Sequence, residues 1–394
     1  MNEKANDLRA TIQDITLRLL DYCKNSDWGG YDPYDALNSK ILSYLPFLDF
    51  KSFRLGLTQI LKRMPINIRP LLLIPKTQNP KAIALFLMAL LKLSRLGLLK
   101  EEKVIRHMQD RLVALRSPDS SYWSWGYSFP WQTRTLLVPR GAPNLVCTTF
   151  VANALLDAYD KTGSSAFVKM AVSAADYLLK ELYWTDSDDK ACFAYPNPSA
   201  RVPVHNANFL GAALLCRISV VASEKELLKP ALKVARYSAA QQQQNGSWYY
   251  GEDPTQRWID NFHTGYNLCA LKTICEYGET KEFDAHIRRG LEFYQTRFFR
   301  EDGAPRYFDK RTYPIDIHSV AQSMLTLLTL KAGAEDNADL PLLVLKWSVT
   351  HMLSNTGFFY YQTYPFYTNK IPYIRWSQAW MLLALATFLE KWPE

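Results

Sequence analysis

The sequence predicts an all-α protein: an (α/α) toroid of six or seven helical hairpins, with short strand-like loops at the rim of a central funnel. Three observations predict it. First, apolar helices with polar first turns recur at Thr148, His205, His263, His318 and Arg375, at separations of 57, 58, 55 and 57 residues. Second, amphipathic segments such as "SAFVKMAVSAADYLLKEL" and "ETKEFDAHIRRGLEFYQTRF" lie between them, charged on one face as an outer layer requires. Third, each amphipathic segment is followed by a turn rich in Gly, Pro and Tyr, for example "NGSWYYGEDP" or "EDGAPRYFDKRTYP". The recurring helices are apolar or small for most of their length. A closed ring covers such helices on nearly every side, whereas an open solenoid would need a polar concave face along them.

Taken in order, the opening "MNEKANDLRATIQDITLRLLDY" alternates charged and apolar residues at helical spacing. It lacks the basic start and continuous apolar run of a secretion signal, so a cytoplasmic protein is expected. Residues 1–115 hold two less regular hairpins, with "YDPYDALNSKILSYL" and "PKAIALFLMALLKL" as inner helices and "EEKVIRHMQDRLVALRS" as an outer one. Residues 116–394 hold the regular repeats, and the whole of 1–394 is read as one toroid domain. The apolar run "IALFLMALL" ends at Lys92, far short of a membrane span, so no membrane insertion is expected. Cys23, Cys147, Cys192, Cys216, Cys269 and Cys275 are scattered without CxxC pairing and read as free thiols.

A net charge of +8 and a pI near 9.0 favour an anionic partner. No long Lys/Arg run or nucleic-acid motif is present, so an acidic small molecule or glycan fits better than nucleic acid. Aromatics make up 13% of the chain, with 23 Tyr and 11 Trp, enough for polar-tipped rings to line a cavity besides filling a core.

Parallel inner helices would bring their N–H groups and dipoles together at one end of the funnel. Together with Arg134, Arg201 and Arg375, these favour a carboxylate, sulfate or phosphate there. Helical spacing puts His263, Tyr266 and Asn267 on one face, and likewise His205 with Asn208, His318 with Gln322, and Arg375 with Gln378. The catalytic candidates are His263, His318, Tyr266, Asp260, Asp316 and His205. Such groups suit proton abstraction beside a sugar carboxylate: Asn and Arg neutralise the carboxylate, one Tyr or His takes the α-proton, and a second returns a proton. Lyase and epimerase differ only in that last step.

The binding candidates are Asp32, Asp35, Trp125, Trp131, Gln132, Arg134, Asn144, Asn206, Asn208, Asn261, Asn267, Gln322, Arg375, Gln378 and Trp248. Several have a plainer reading, because first-turn Asn, Asp and Thr cap helices and loop tryptophans pack hairpins together. A rival chemistry pairs two of Asp32, Asp35, Asp260 and Asp316 across a sugar ring for glycoside hydrolysis. In the plainer reading Asp260 and Asp316 orient His263 and His318. No compact i,i+4 ligand pair marks a metal site, and neither metal nor other cofactor is expected.

The repeated hairpins with G-x-W/F-x-Y loops, "GSWYY" and "GFFYY", resemble the α/α toroids over about residues 115–390. That superfamily includes six-hairpin glycosidases, toroid polysaccharide lyases, uronyl C5-epimerase catalytic domains and terpenoid cyclases. The polar funnel mouth argues against a hydrocarbon substrate. More specifically, "WGGYDPYDALNS", "FPWQTR" and "YPIDIHSVAQ" resemble toroid proteins associated with bacterial and archaeal polysaccharide-biosynthesis genes. The resemblance implies a carbohydrate-active enzyme acting on an acidic, uronate-containing polysaccharide or its lipid-linked precursor by lyase-like or C5-epimerase-like chemistry. A glycoside hydrolase and a non-catalytic glycan-binding protein are the alternatives. Opposed carboxylates in the funnel would favour hydrolysis, clustered His, Tyr and Arg would favour uronate chemistry, and dispersed polar groups would favour binding.

Overall fold

The computed structural model describes residues 2–187, 190–330 and 339–391. Its helices are α1 (Asn2–Asn25), α2 (Lys51–Arg63), α3 (Pro80–Arg95), α4 (Glu102–Ala114), α5 (Leu145–Thr162), α6 (Ser165–Tyr177) and α7 (His205–Val221). They continue with α8 (Leu228–Ala240), α9 (Asn261–Tyr277), α10 (Asp284–Arg297), α11 (Ile317–Thr329), α12 (Leu340–Met352) and α13 (Ala379–Lys391). A π-helical turn, Ile374–Gln378, leads into α13.

The odd-numbered helices from α3 to α13 form an inner ring in which each packs on the next, and α13 packs back on α3. Around them α4, α6, α8, α10 and α12 pack on α3, α5, α7, α9 and α11 in turn, while α1 packs on α13. The ring is therefore closed, with six hairpins among the described residues. Side-chain chemistry explains the layers. The inner α13 is buried continuously from Ala379 to Leu389, whereas the outer α10 buries only Gly290, Phe293 and Tyr294. On α8 the buried positions are Ala231, Val234, Ala235, Ser238 and Ala239, a narrow stripe at helical spacing.

The inner helices run parallel. At one end Lys92 and Arg95 of α3 bind Glu390 of α13, and at the other Lys81 and Arg375 line a common cavity. Short antiparallel ladders decorate the rim: β1 (Trp131–Gln132) with β2 (Leu137–Val138), β3 (Tyr183–Ser187) with β4 (Lys190–Phe193), and β5 (Ile315–Asp316) with β6 (Gln362–Thr363), which also pairs β7 (Thr368–Asn369).

Two expectations need correction. The segment "YDPYDALNSKILSYL" is not an inner helix; it forms short 3₁₀ turns at Asp35–Asn38 and Leu42–Tyr44. Its carboxylates are drawn into long-range ion pairs, Asp35 with Arg69 at 2.7 Å and Asp32 with Arg375 at 2.6 Å, which pin it as a rim loop.

The register of the repeat also shifts. The residues before the inner helices are Asn79, Asn144, Val204, Asp260, Asp316 and Tyr373, all in extended backbone. Counting two onward gives Lys81, Val146, Asn206, Phe262, His318 and Arg375, and all six line the same cavity. Thr148, His205 and His263 stand fourth, first and third after their caps, so only His318 and Arg375 of the expected register are equivalent positions.

Candidate functional site

The cavity is a funnel of about 510 Å³ at the N-terminal ends of the inner helices. Side-chain capping orients four of those ends: Asn79, Asn144, Asp260 and Asp316 each accept a hydrogen bond from a first-turn N–H. Among the described lining residues the charged groups are Lys62, Lys81, Arg134 and Arg375 against one carboxylate, Asp260. Arg375 is paired with Asp32 and burial holds the Lys81 amine down, so the excess of positive charge rests on Lys62 and Arg134, and the converging helix dipoles add to it.

Asp260 does two things at once. Its Oδ1 caps α9 by accepting from the His263 backbone N–H at 2.9 Å. Its Oδ2 accepts from His263 Nδ1 at 2.7 Å and from Trp258 Nε1 at 2.9 Å. This fixes the imidazole and leaves Nε2 with no protein partner among the described residues. His263 is 21% exposed by side chain and lines the funnel, so that nitrogen is available to a ligand. Tyr250 stacks on Trp258 with centroids 4.5 Å apart and lies 4.6 Å from the His263 ring, bracing both.

One turn further along α9, the Tyr266 hydroxyl shares a 2.6 Å hydrogen bond with His318 Nε2. The His318 ring is sandwiched between Phe262 and Trp380, each 4.6 Å away by centroid. Its Nδ1 is buried without a partner. Burial first, then the nearby charges of Lys81 and Arg375, holds His318 well below the usual histidine range, so it is neutral at pH 7. Burial likewise pushes the Tyr266 hydroxyl well above its ordinary value.

Arg375 is held by a two-point clasp from Asp32, at 2.6 and 2.8 Å. Burial opposes its charge, but Asp32 more than offsets this and keeps it protonated. Lys81 differs. Its Nζ lies 4.2 Å from the Phe150 centroid, 5.2 Å from Trp380 and 5.4 Å from Tyr266, and makes no hydrogen bond or ion pair among the described residues. Burial, followed by the positive charge of Arg375, holds its amine well below the usual lysine range. An anionic ligand group reaching the funnel floor would supply the missing partner and favour the charged amine.

Of the residues singled out from sequence, the structure brings Trp131, Gln132, Arg134, Asn206, Asp260, His263, Tyr266, His318 and Arg375 to the funnel wall. The others lie outside it. His205 turns toward the outer helix α8, with Nδ1 3.3 Å from Ser238 Oγ, and burial holds it down to about 4. Asp316 is fully buried: Oδ1 accepts from the His318 N–H and Trp376 Nε1, and Oδ2 from Gln362 Nε2. Burial pushes its carboxyl up to about 6. Asp32 and Asp35 are in their ion pairs, so among the described residues no two opposed carboxylates face each other across the funnel.

The remaining amides and indoles serve the frame. Asn144 caps α5, Asn208 bonds the Phe193 N–H and Ser238, and Asn261 accepts from Tyr294. Gln322 donates to Thr326, and Gln378 clasps the Phe359 backbone. Trp125 and Trp248 donate to the carbonyls of Leu112 and Ser238 inside their hairpins. Asn267 is buried with an unpartnered Oδ1 and does not line the funnel, and Arg201 lies outside it. Among the described residues no group of three His, Cys, Asp or Glu side chains could hold a metal ion.

Lys81 was missed by the sequence reading, as were the lining rings of Tyr34, Tyr127, Tyr195 and Tyr307. A signal for Lys81 did exist. "NPKAIALFL" reads as cap, Pro at the first helical position, then a single charge heading an apolar helix.

No family model matches the sequence, and no curated protein does. Solved structures do. Cellobiose 2-epimerase from Bacillus thermoamylovorans superposes with a TM-score of 0.63 at 11% identity, covering 80% of this chain and 90% of that one. Unsaturated glucuronyl hydrolase from Streptococcus agalactiae gives 0.62 at 11%, covering 98% and 92%. A polysaccharide lyase gives 0.59 at 11%, covering 97% of each chain. At such identities the likeness concerns architecture: this chain has the α/α-toroid fold, one that these carbohydrate-active enzymes share.

Proposed function

We propose that the funnel binds a uronate-type acidic sugar and removes the proton α to its carboxylate. One observation carries this reading: among the described residues Lys62, Lys81, Arg134 and Arg375 line the funnel with one lining carboxylate, Asp260, and Asp32 bound behind Arg375, beside a histidine whose Nε2 has no protein partner. The sugar carboxylate is neutralised by Lys81 and Arg375, which makes the neighbouring C5–H more acidic. His263, held by Asp260, accepts that proton at Nε2. In elimination the C5–H electron pair becomes the C4–C5 double bond, the C4–O bond breaks, and Tyr266 protonates the leaving oxygen.

An epimerase instead needs a proton delivered to the opposite face of C5. His263 and Tyr266 stand one turn apart on the same helix, with ring centroids 5.9 Å apart, which favours elimination from one side. Glycoside hydrolysis by two carboxylates is disfavoured because Asp32, Asp35 and Asp316 are committed elsewhere. The names of the structural neighbours, an epimerase, a glucuronyl hydrolase and a lyase, support a glycan as ligand. The resemblance to proteins of polysaccharide-biosynthesis gene sets supports a polysaccharide or its lipid-linked precursor.

The test is incubation with acidic and neutral glycans in deuterated water. Acidic glycans should yield an unsaturated uronate chromophore, and His263→Ala should lower that rate about 10²- to 10⁴-fold without shifting the melt. New reducing ends without unsaturation would replace this reading with hydrolysis. Equal turnover of neutral glycans would remove the acidic substrate.

A further inference from the structure

We infer that the rim built by residues 39–76 and the β6–β7 hairpin docks on an anionic lipid surface. This stands apart from the chemistry proposed for the funnel. Of fifteen exposed large apolar side chains among the described residues, seven fall between positions 44 and 73. Tyr44 is 82% exposed, Phe47 73% and Leu71 76%, and at the tip of the neighbouring hairpin Phe366 is 97% exposed. In water such a concentration is unfavourable and marks a contact surface.

Hydrogen bonds hold these pieces of chain side by side. Ser39 Oγ donates to the Leu72 carbonyl at 2.6 Å, bringing the first 3₁₀ turn beside Leu71 and Leu73. Asn369 Nδ2 donates to the Met64 carbonyl at 3.0 Å, bringing the β6–β7 hairpin beside the exposed Ile66. The same region walls a second cavity of about 320 Å³, apolar at Leu42, Leu45, Leu48, Phe53, Pro130 and Leu137 and polar at Ser39, Ser43 and the Asp49–Arg54 pair.

The charge identifies the partner. Residues 40–76 contain seven Lys and Arg but one acid, Asp49. Arg54 pairs with Asp49 and Arg69 with Asp35, leaving Lys40, Lys51, Lys62, Arg63 and Lys76 without an ion-paired carboxylate among the described residues; of these Lys62 donates to the Tyr34 hydroxyl. Protein interfaces are depleted in lysine, whereas protruding aromatic and aliphatic side chains fringed by Lys and Arg match the headgroup layer of an anionic membrane. α2 has 13 residues, and no described helix is long and apolar enough to cross a membrane, so this is surface docking and not a span. Leu55, Gln59 and Lys62 of α2 line the funnel, so docking sets the funnel mouth beside the lipid surface.

The test is sedimentation of the full chain with phosphatidylcholine vesicles, with and without phosphatidylglycerol, at low and high salt. The protein should pellet with the anionic vesicles, be released by salt, and lose about tenfold in partitioning in the triple variant Tyr44→Ser, Phe47→Ser, Leu71→Ser. Its melt should be unchanged, because these side chains are exposed. Failure to pellet with either vesicle, or equal pelleting by the triple variant, overturns the inference. So does a concentration-dependent dimer that the same variant abolishes, which would assign the surface to a second copy of this chain.

Discussion

Lys81 and His205 show what one residue's position on a helix decides. Each step along an α-helix turns about 100°. His205 is the first helical residue of α7 and faces α8, while Asn206 beside it lines the funnel. The histidines stand out in the sequence because they recur, and recurrence carries no azimuth. The polar first turn was legible; which of its residues faces inward became so only once the caps were known. Lys81 also yields a prediction in which stability and function move in opposite directions. Its folded-state pKa is depressed below 10.5 by burial. Unfolded chain therefore holds this proton more tightly, and the lysine costs stability at neutral pH, a cost that fades as pH rises from the folded value toward 10.5 and is gone above it. Lys81→Met should match or exceed the parent melt at neutral pH, with the gain shrinking as pH approaches 10.5. Affinity for an acidic sugar should fall about 10- to 100-fold, the loss of one charge-assisted contact. Calorimetry on both proteins checks it; a much lower melt, or undiminished affinity, would make Lys81 a structural residue.

At the scale of elements, Gly265 sets how closely α9 approaches α11. A Cβ there would meet Thr326 Oγ1 at 2.6 Å and Gln322 Cγ at 2.8 Å. The close approach is what lets Tyr266 of α9 reach His318 of α11. Gly265→Ala should cost about 1–3 kcal/mol through overpacking, and should slow turnover more than the melt alone explains, because it separates the Tyr266–His318 pair. Chemical denaturation combined with assays well below the transition would show this; normal turnover in a destabilised variant would detach that pair from catalysis. The alternation of outer and inner helices was legible because burial imposes its own periodicity on each. The loop at 31–45 was not. Its pattern of Asp, Tyr and Leu imitates a helix, and the partners that hold it otherwise, Arg69 and Arg375, lie 34 and 343 residues beyond the aspartates they bind.

The whole molecule is a ring with two ends of different character. Closure was anticipated from inner helices too apolar to face a solvent groove, but the contact that closes it, α13 on α3, joins elements about 300 residues apart and left no local trace. At the base that contact is reinforced by Lys92 and Arg95 around Glu390. Arg375 and Glu390 are fifteen residues apart along one nearly continuous helical run, about 22 Å at 1.5 Å per residue. At that distance, and with the Glu390 charge compensated locally by Lys92 and Arg95, charge at the base has little direct influence on the funnel. Glu390→Gln should therefore cost about 1 kcal/mol, since Glu390 is partly exposed and solvent screens the pair. The melt should drop by about 1–2 °C, and less in high salt. Affinity for an acidic ligand, measured well below the transition, should stay within about twofold. Lys81→Met should show the reverse pattern, an unchanged or higher melt with weakened binding. If Glu390→Gln weakened binding as much as Lys81→Met, the inner ring would be moving as one mechanical unit, and the division into a stabilising base and a binding mouth would fail.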